Sequence, residues 1–252
     1  MKINFLLIAV FALSLAPLSA KAQTTILENF IAFSCNFSFD KMTLINDIQA
    51  KHDTLVVNCH PPDSSVQSEF TLQACSDKII PYIKRDITTG HATPFSAING
   101  RYLTVGAHEG IHHSAIALAA KENPLVPISF TLRDNTINAE LPAIKTTGKP
   151  LDLWLYAYIF EKDETMAYAA EGIPPLTDEE RAMLPRATFT NLVKHLENLG
   201  DWDGNPQSIS IPLNGFKADG FALIAQEKEG GPILALGKIE PGLASQVSHA
   251  QN

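Results

Sequence analysis

The feature that most constrains the fold is a strand, helix and strand in succession near the start of the chain. Residues 25–32 form a mostly apolar run typical of a buried strand, and residues 36–51 carry apolar side chains at helical spacing. A second short apolar run follows at residues 55–57. Because this order gives two parallel strands with a crossover helix, the pattern predicts a β-α-β unit with Cys35 at the start of its helix.

The next segment predicts two helices and a hairpin. A helix is expected between residues 68 and 84, broken or kinked at Pro81. Asn99-Gly100 lies between short apolar runs and forms a two-residue turn that needs positive φ, which indicates a β-hairpin. A helix from about residue 109 to residue 121 closes this half. The order fits a thioredoxin-like fold, and it also fits other α/β folds.

The second half of the chain predicts a mostly β module. A second hairpin is expected around Asp134-Asn135, and alternating or apolar runs predict further strands. Those strands are expected at residues 151–160, 208–213, 221–226 and 233–237. The acidic, Pro-containing segment 161–186 predicts a long surface excursion. Apolar residues from 189 to 199 recur at helical spacing and indicate a helix.

Together these patterns predict an α/β protein, with a thioredoxin-like domain followed by a mostly β C-terminal module. We expect the first domain at residues 23–124 and the β-rich module at residues 125–240. A flexible tail is expected at residues 241–252.

The N-terminus has the pattern of a secretory signal peptide at residues 1–22. Lys2 precedes an apolar run, and Ala20-Lys21-Ala22 forms an A-x-A cleavage site before Gln23. No second run of about 18 apolar residues follows in the sequence, so we expect the mature chain to have no membrane span. The pattern predicts a periplasmic or secreted protein, in a compartment that permits disulfides.

The charge balance argues against one class of partner. The chain has 19 Lys and Arg against 27 Asp and Glu, which gives a formal charge of -8. A phosphate backbone is held by a basic surface, so we expect no nucleic-acid partner. The sequence also has neither a phosphate-cradling Gly-rich loop nor a G-x-S-x-G motif, and we expect no cofactor.

Three cysteines leave at least one thiol without an intramolecular partner. Cys59 ends the second predicted strand and Cys75 lies in the next helix, so a bridge between them is geometrically feasible. The rival pairing joins Cys35 to Cys59, because the first two strands of such a fold end near one another. The sequence leaves both pairings open.

Several motifs, in order, resemble those of one secreted protein family. Residues 27–38, L-E-N-F-I-A-F-S-C-N-F-S, align with a V-E-L-F-T-S-Q-G-C-S-S-C opening, so that Glu28, Phe30 and Cys35 match. Thr93-Pro94 falls in a Y-T-P-Q motif, and further matches are A-I-N-G at 97–100, L-G-D-W-D-G at 199–204 and G-P-I-L-A at 231–235. Over residues 24–237 the chain resembles the thioredoxin-like proteins grouped as domain-of-unknown-function family 1223.

The resemblance implies a redox site in which one of two cysteines has been replaced. The family's C-x-x-C is here Cys35 followed by Ser38, and a hydroxyl cannot resolve a mixed disulfide. The resemblance also implies that Thr93–Pro94 is a cis-proline that lines the thiol and pairs with an extended substrate. Glu28 lies in an apolar strand. A buried carboxylate below Cys35 would move protons for thiol exchange, and its alternative role is that of a hydrogen-bonded structural acid.

Three functional hypotheses follow. A thiol at a helix N-terminus faces free N–H groups, which favour the reactive thiolate, so Cys35 is expected to exchange disulfides with thiol- or disulfide-containing envelope proteins. The second hypothesis is a non-enzymatic binding module that uses the cis-Pro groove, with Cys35 as a small buried apolar residue. The third is a metal-site protein built on histidines.

The metal hypothesis rests on residues 108–112, H-E-G-I-H, which match H-E-x-x-H. Gly110 is unfavourable inside a helix, and no third-ligand continuation follows, so we expect no metal at this motif. The alternative is a looser site that combines His108, His112 or His113 with His60 or His91.

Overall fold

The computed structural model describes residues 25–62, 68–86, 93–122, 124–166, 176–213, 215 and 217–239. The predicted signal peptide and the predicted C-terminal tail lie outside these residues. The first half contains β1 (Thr25–Phe30), α1 (Asn36–Lys51), β2 (Thr54–Cys59), α2 (Gln73–Arg85), β3 (Phe95–Ile98), β4 (Tyr102–Val105) and α3 (Glu109–Glu122). The second half contains β5 (Val126–Pro127), β6 (Ser129–Arg133), β7 (Thr136–Leu141), β8 (Leu151–Thr165), α4 (Asp178–Ala182), β9 (Arg186–Trp202), β10 (Gln207–Pro212), β11 (Gly220–Glu227) and β12 (Ile233–Ile239).

The protein is a mixed α/β structure dominated by one large sheet. Nine strands lie in the order β4-β3-β1-β2-β9-β8-β11-β12-β5, and a smaller sheet has the order β10-β7-β6. β1 and β2 are parallel and α1 connects them, as the β-α-β pattern predicts. β3 and β4 form the predicted hairpin, with Asn99 and Gly100 both at positive φ in its turn.

The two segments predicted from the sequence share the large sheet. β2 runs parallel to β9, with Asn58 paired to Leu192. Beside that pair, the side-chain amide of Asn191 donates to the backbone oxygen of Val56 over 2.8 Å. Strands from before and after residue 124 are therefore neighbours in one sheet, and the elements of both segments pack against its two faces.

The helix predicted around residues 189–199 is wrong, because these residues lie in strand β9, paired with β8. Two breaks in the β8–β9 register contribute to the misleading spacing. At one of them Ala157 pairs with His195 and Tyr158 pairs with Val193, so β9 holds an extra residue there. Val193 and Leu196, three positions apart, consequently pack in the same core cluster. In a regular strand, that spacing would place them on opposite faces.

The structure also bears on two other predictions. Helix α2 continues across Pro81 to Arg85, so Pro81 does not break this helix. Strand β8 continues to Thr165 and β9 begins at Arg186, so the two ends of the predicted excursion are strand. Between these ends the described residues include α4, whose N-terminus is closed by a capping box between Thr177 and Glu180.

The large sheet separates two apolar clusters in its first half. Ile26 and Phe30 of β1 pack with α2 on one face, and Leu27 of β1 packs with α1 and α3 on the other. This alternation is the one expected for a central strand covered on both faces. Within the described part of the chain, no helix has the length and hydrophobicity needed to cross a membrane.

Candidate functional site

Cys35 lies at the N-cap position of α1, in an extended backbone conformation. The loop from β1 places it there, because the Cys35 N–H donates to the backbone oxygen of Ala32 over 3.1 Å. Its thiol is free and partly exposed. The Cys35 Sγ lies 3.5 Å from the backbone oxygen of Thr93, to which it donates. The structure thus puts this thiol at the start of a helix, within hydrogen-bond distance of the backbone that precedes Pro94.

Ser38, which the family resemblance aligns with a second cysteine, is fully buried. Its Oγ accepts a hydrogen bond from the backbone N–H of Ala32 over 3.0 Å, which closes the loop that carries Cys35. The Ser38 backbone N–H donates to the oxygen of Cys35 over 3.0 Å. Ser38 therefore holds the thiol-bearing loop against the first turn of α1.

The peptide bond between Thr93 and Pro94 is cis, as the family resemblance implies. The oxygen of Pro94 accepts from the backbone N–H of Gly106 over 2.8 Å, so this segment is fixed to the far end of the β3–β4 hairpin. Of the residues near the thiol, Phe37 has a side chain that is 63% exposed. Cys35, Ser38, Thr93 and Pro94 are thus brought together by the fold.

Glu28 lies in a separate buried cluster on the α2 side of the sheet. Tyr82 and Tyr156 both donate to its carboxylate, and the Lys78 ammonium is 3.5 Å away. Gln226 accepts a hydrogen bond from Lys78 and donates to the Tyr82 hydroxyl over 2.7 Å. Burial lowers the pKa of Lys78, and the charge of Glu28 opposes that effect.

The two tyrosines in this cluster have the opposite shift. Burial, followed by the charge of Glu28, raises the pKa of Tyr82 and of Tyr156 well above the ordinary value. Both hydroxyls therefore stay protonated and donate to the carboxylate at neutral pH. The hydrogen bonds described for Glu28 come from these tyrosines. This arrangement fits a hydrogen-bonded structural acid better than a group that moves protons for Cys35.

A second buried polar cluster lies on the α1 and α3 side of the sheet, and sequence reasoning missed it. We call it the Lys41 network, and it contains Asn29, Lys41, Asn58, Ser96, Thr104 and His112. The Lys41 ammonium donates to Ser96 Oγ over 2.6 Å and to the Gly106 oxygen over 2.9 Å. It also lies 2.8 Å from His112 Nε2. These partners are neutral when His112 is unprotonated.

Burial shifts both ionisable members of the Lys41 network. Desolvation lowers the pKa of Lys41 to about 7. Desolvation and then the Lys41 charge lower the pKa of His112 to about 4, so that imidazole is neutral at neutral pH. The sequence carried a signal for Lys41, because it precedes Leu44, Ile45 and Ile48 at helical spacing on the apolar face of α1.

The H-E-x-x-H histidines do not form a common ligand pair. His112 is buried, with Nδ1 2.8 Å from the backbone oxygen of His108 and Nε2 2.7 Å from Thr104 Oγ1. His60 is likewise buried, with Nδ1 2.9 Å from the Ile31 oxygen. His91 lies outside the described residues.

The cysteine pairing is resolved by the structure. Cys59, at the end of β2, is bonded to Cys75 in the first turn of α2, and both are buried. The rival pairing of Cys35 with Cys59 is therefore wrong. Cys35 is left as a free thiol at the end of the β1–α1 loop, where α1 begins.

Comparisons with known proteins show the fold. No family model matches the chain, and no curated protein matches it. A solved structural-genomics target from Agrobacterium tumefaciens is 17% identical, with a TM-score of 0.66, and the match covers 87% of this chain and 95% of that one. HBP35 of Porphyromonas gingivalis is 15% identical, with a TM-score of 0.53, and the match covers 87% of this chain and 75% of that one. At these identities, the likeness shows that the mixed α/β architecture is shared.

Proposed function

We propose that this protein is an exported member of the thioredoxin-like proteins, with a β-rich C-terminal module, that exchanges disulfides with envelope proteins through the single thiol of Cys35. The observation that carries the proposal is the position of that thiol. It is free, partly exposed, at the N-terminus of α1 and 3.5 Å from the Thr93 oxygen next to Pro94. A thiolate at a helix N-terminus is the nucleophile in this chemistry.

The reaction is an exchange without net oxidation. The Cys35 thiolate attacks one sulfur of a partner disulfide, a Cys35–partner disulfide forms, and the other partner sulfur leaves as a thiolate. Ser38 is buried and bonded to Ala32, and its hydroxyl has no sulfur with which to resolve this mixed disulfide. Release therefore requires a second thiol from the partner or from another molecule.

Two features of the chain support export to an oxidising compartment. The signal-peptide pattern at residues 1–22 supports export. The buried disulfide between Cys59 and Cys75 is consistent with an oxidising compartment such as the periplasm. Both features support the expectation that the partners are envelope proteins with thiols or disulfides.

A second candidate function uses the same surface without chemistry. Phe37 exposes 63% of its side chain two residues after Cys35, on the helix end that lies by Thr93 and Pro94. An exposed aromatic side chain near a cis-proline supports the proposal that this surface binds an apolar peptide. In this alternative the groove at Pro94 binds a partner and Cys35 does not react.

Alkylation of the native protein distinguishes these functions. Iodoacetamide should modify Cys35 in the native protein at neutral pH, because its thiol is free and partly exposed there. A model disulfide substrate should accumulate as a long-lived adduct on the native protein, and Cys35→Ser should abolish it. If Cys35 reacts only after unfolding, the thiol-exchange proposal fails and the binding function replaces it.

Restoring the second cysteine provides an independent measurement. Ser38→Cys should increase turnover in an insulin-reduction assay, because the new thiol can attack the mixed disulfide. Ser38→Ala is the matched control, since it removes the hydroxyl and adds no sulfur. Equal turnover by the two variants would contradict the assignment of position 38 as the resolving position.

A further inference from the structure

A group of metal-ligating side chains lies between α1 and α3, away from the thiol. Asp47, Glu109 and His113 each offer one ligand atom, and these atoms all lie within 4.8 Å of one another. Asp47 is twelve residues after Cys35 along the chain, which is about 18 Å along a helix axis. Glu109 and His113 are four residues apart on α3, so their side chains point from the same helix face.

The distances within this group suit a tetrahedral ion. His113 Nε2 is 2.9 Å from Asp47 Oδ2 and 3.7 Å from Glu109 Oε1. Zinc binds imidazole nitrogen and carboxylate oxygen at about 2.0 to 2.2 Å, so two ligand atoms of a tetrahedral site are roughly 3.3 Å apart. The observed separations lie on either side of that value. Small side-chain rotations therefore bring the three atoms into a zinc coordination shell.

His52 supplies the outer contact that a metal-binding histidine needs. Its Nε2 is 2.7 Å from Nδ1 of His113, on the opposite side of the His113 ring from Asp47. A ligating histidine almost always donates its second ring N–H to an acceptor, which fixes the tautomer and the ring orientation. The position of His52 Nε2 allows it to accept that hydrogen bond from His113 Nδ1.

A cationic side chain already lies at this position. The Lys51 ammonium is 2.8 Å from Asp47 Oδ1 and 3.8 Å from Glu109 Oε1. Its side chain is 56% exposed, so it can move into solvent when another cation binds.

We propose that Asp47, Glu109 and His113 form a zinc-binding site that joins α1 to α3, with His52 orienting His113 and Lys51 competing with the ion. Three protein ligands leave a fourth position for water. The imidazole favours zinc over magnesium and calcium, which prefer all-oxygen sites. The proposal uses a different set of residues from H-E-x-x-H, sharing Glu109 with it, and it does not depend on the reactivity of Cys35.

Calorimetric titration of zinc chloride into metal-stripped protein tests the site. The Cys35→Ser variant serves as the parent protein, so that the free thiol does not bind zinc. We expect one equivalent to bind, with a rise in melting temperature because zinc binds only the folded pair of helices. Asp47→Asn and His113→Asn should each weaken binding by at least about tenfold, and His52→Phe should weaken it by a similar factor.

Two further variants separate this site from non-specific binding. Lys51→Met should tighten zinc binding several-fold, because it removes the competing ammonium and leaves every proposed ligand in place. His195→Asn is the matched control, since His195 pairs with Glu197 on β9 at 3.2 Å, far along the chain from α1 and α3. Melting in EDTA verifies that each variant is folded. Absence of saturable zinc binding, or binding that Asp47→Asn and His113→Asn leave unchanged, would overturn the proposal.

Discussion

Replacing Lys41 with Met should remove a pH-dependent part of the free energy of unfolding. Lys41 is fully buried, and its hydrogen-bonding partners are Ser96, the Gly106 oxygen and the neutral ring of His112. Because no carboxylate compensates the charge in these contacts, burial lowers its pKa to about 7. In the unfolded chain the pKa of Lys41 returns to its ordinary value of 10.5.

The sign and size of the effect follow from proton linkage. Between the two pKa values the unfolded chain binds a proton that the native protein does not, so stability rises with pH across this interval. Each pH unit contributes about 1.4 kcal/mol where the difference is complete, and less near pH 7, where native Lys41 is half protonated. From pH 7 to pH 9, Lys41 should therefore add roughly 2 kcal/mol to the free energy of unfolding.

Urea denaturation of both proteins at pH 7 and at pH 9 measures this contribution. The quantity compared is the change in the free energy of unfolding between pH 7 and pH 9, because Met also leaves Ser96 and the Gly106 oxygen without the Lys41 donor at either pH. Lys78 is buried as well and contributes to both proteins alike. Lys121→Met, at an exposed position of α3, is the control and should keep the wild-type pH dependence. An unchanged pH dependence in Lys41→Met would refute the reasoning.

Three other changes test the rest of the structure. His112→Asn should reduce the loss of stability in acid. Because the pKa of native His112 is lowered to about 4, the neutral ring stabilises the wild-type protein fully above the unfolded pKa, and this contribution falls by about 2.5 kcal/mol by pH 4.5. Urea denaturation of both proteins at pH 8 and pH 4.5 measures the difference. Glu28→Gln leaves Lys78 as a buried charge and should cost about 3 to 5 kcal/mol in chemical denaturation, whereas Asp77→Asn on the surface of α2 should change little. Replacing both Cys59 and Cys75 with Ala removes a disulfide that closes a loop with a sequence separation of 16, and it should lower the free energy of unfolding by about 3 kcal/mol. An unchanged free energy of unfolding would show that this disulfide does not form in the native protein.

The first half of the fold was predictable because its signals are local. The strand–helix–strand unit follows from one apolar run, one helical period and a second apolar run, all within the first described segment. The β3–β4 hairpin follows from Asn99 and Gly100, which tolerate the positive φ that its turn requires. In both cases the residues that determine the structure are close together in sequence.

Strand β9 was harder to predict because its pairing with β8 determines its geometry. Paired with Leu151–Thr165, β9 contains extra residues at two register shifts, and one of these shifts gives Val193 and Leu196 a spacing that resembles a helical period. A single sequence shows the spacing of Val193 and Leu196 and carries no information about the strand opposite them. Tertiary pairing therefore overrides the local pattern here.

The residues of the candidate thiol site could be named from the sequence, but the buried hydrogen bonds around them could not. Cys35, Ser38, Thr93 and Pro94 were named from short motifs, and the structure brings them together. The Lys41 network was missed because a lysine on an apolar helix face is ordinarily explained by its aliphatic stem with the ammonium in water. Only the positions of β3, β4 and α3 show that this ammonium ends in buried hydrogen bonds.

The Lys41 network also explains what holds the carbonyl partner of Cys35 in place. Cys35 is the N-cap of α1 and Lys41 lies six residues further along, and both contact the β3–β4 hairpin or the segment that leads into it. Lys41 donates to the oxygen of Gly106, and the N–H of Gly106 donates to the oxygen of Pro94 over 2.8 Å. A buried donor of this kind is costly to leave unsatisfied, so the hairpin and α1 keep one relative position. The thiol of Cys35 therefore faces a fixed backbone oxygen, that of Thr93, while the side chain of Phe37 two residues later is 63% exposed.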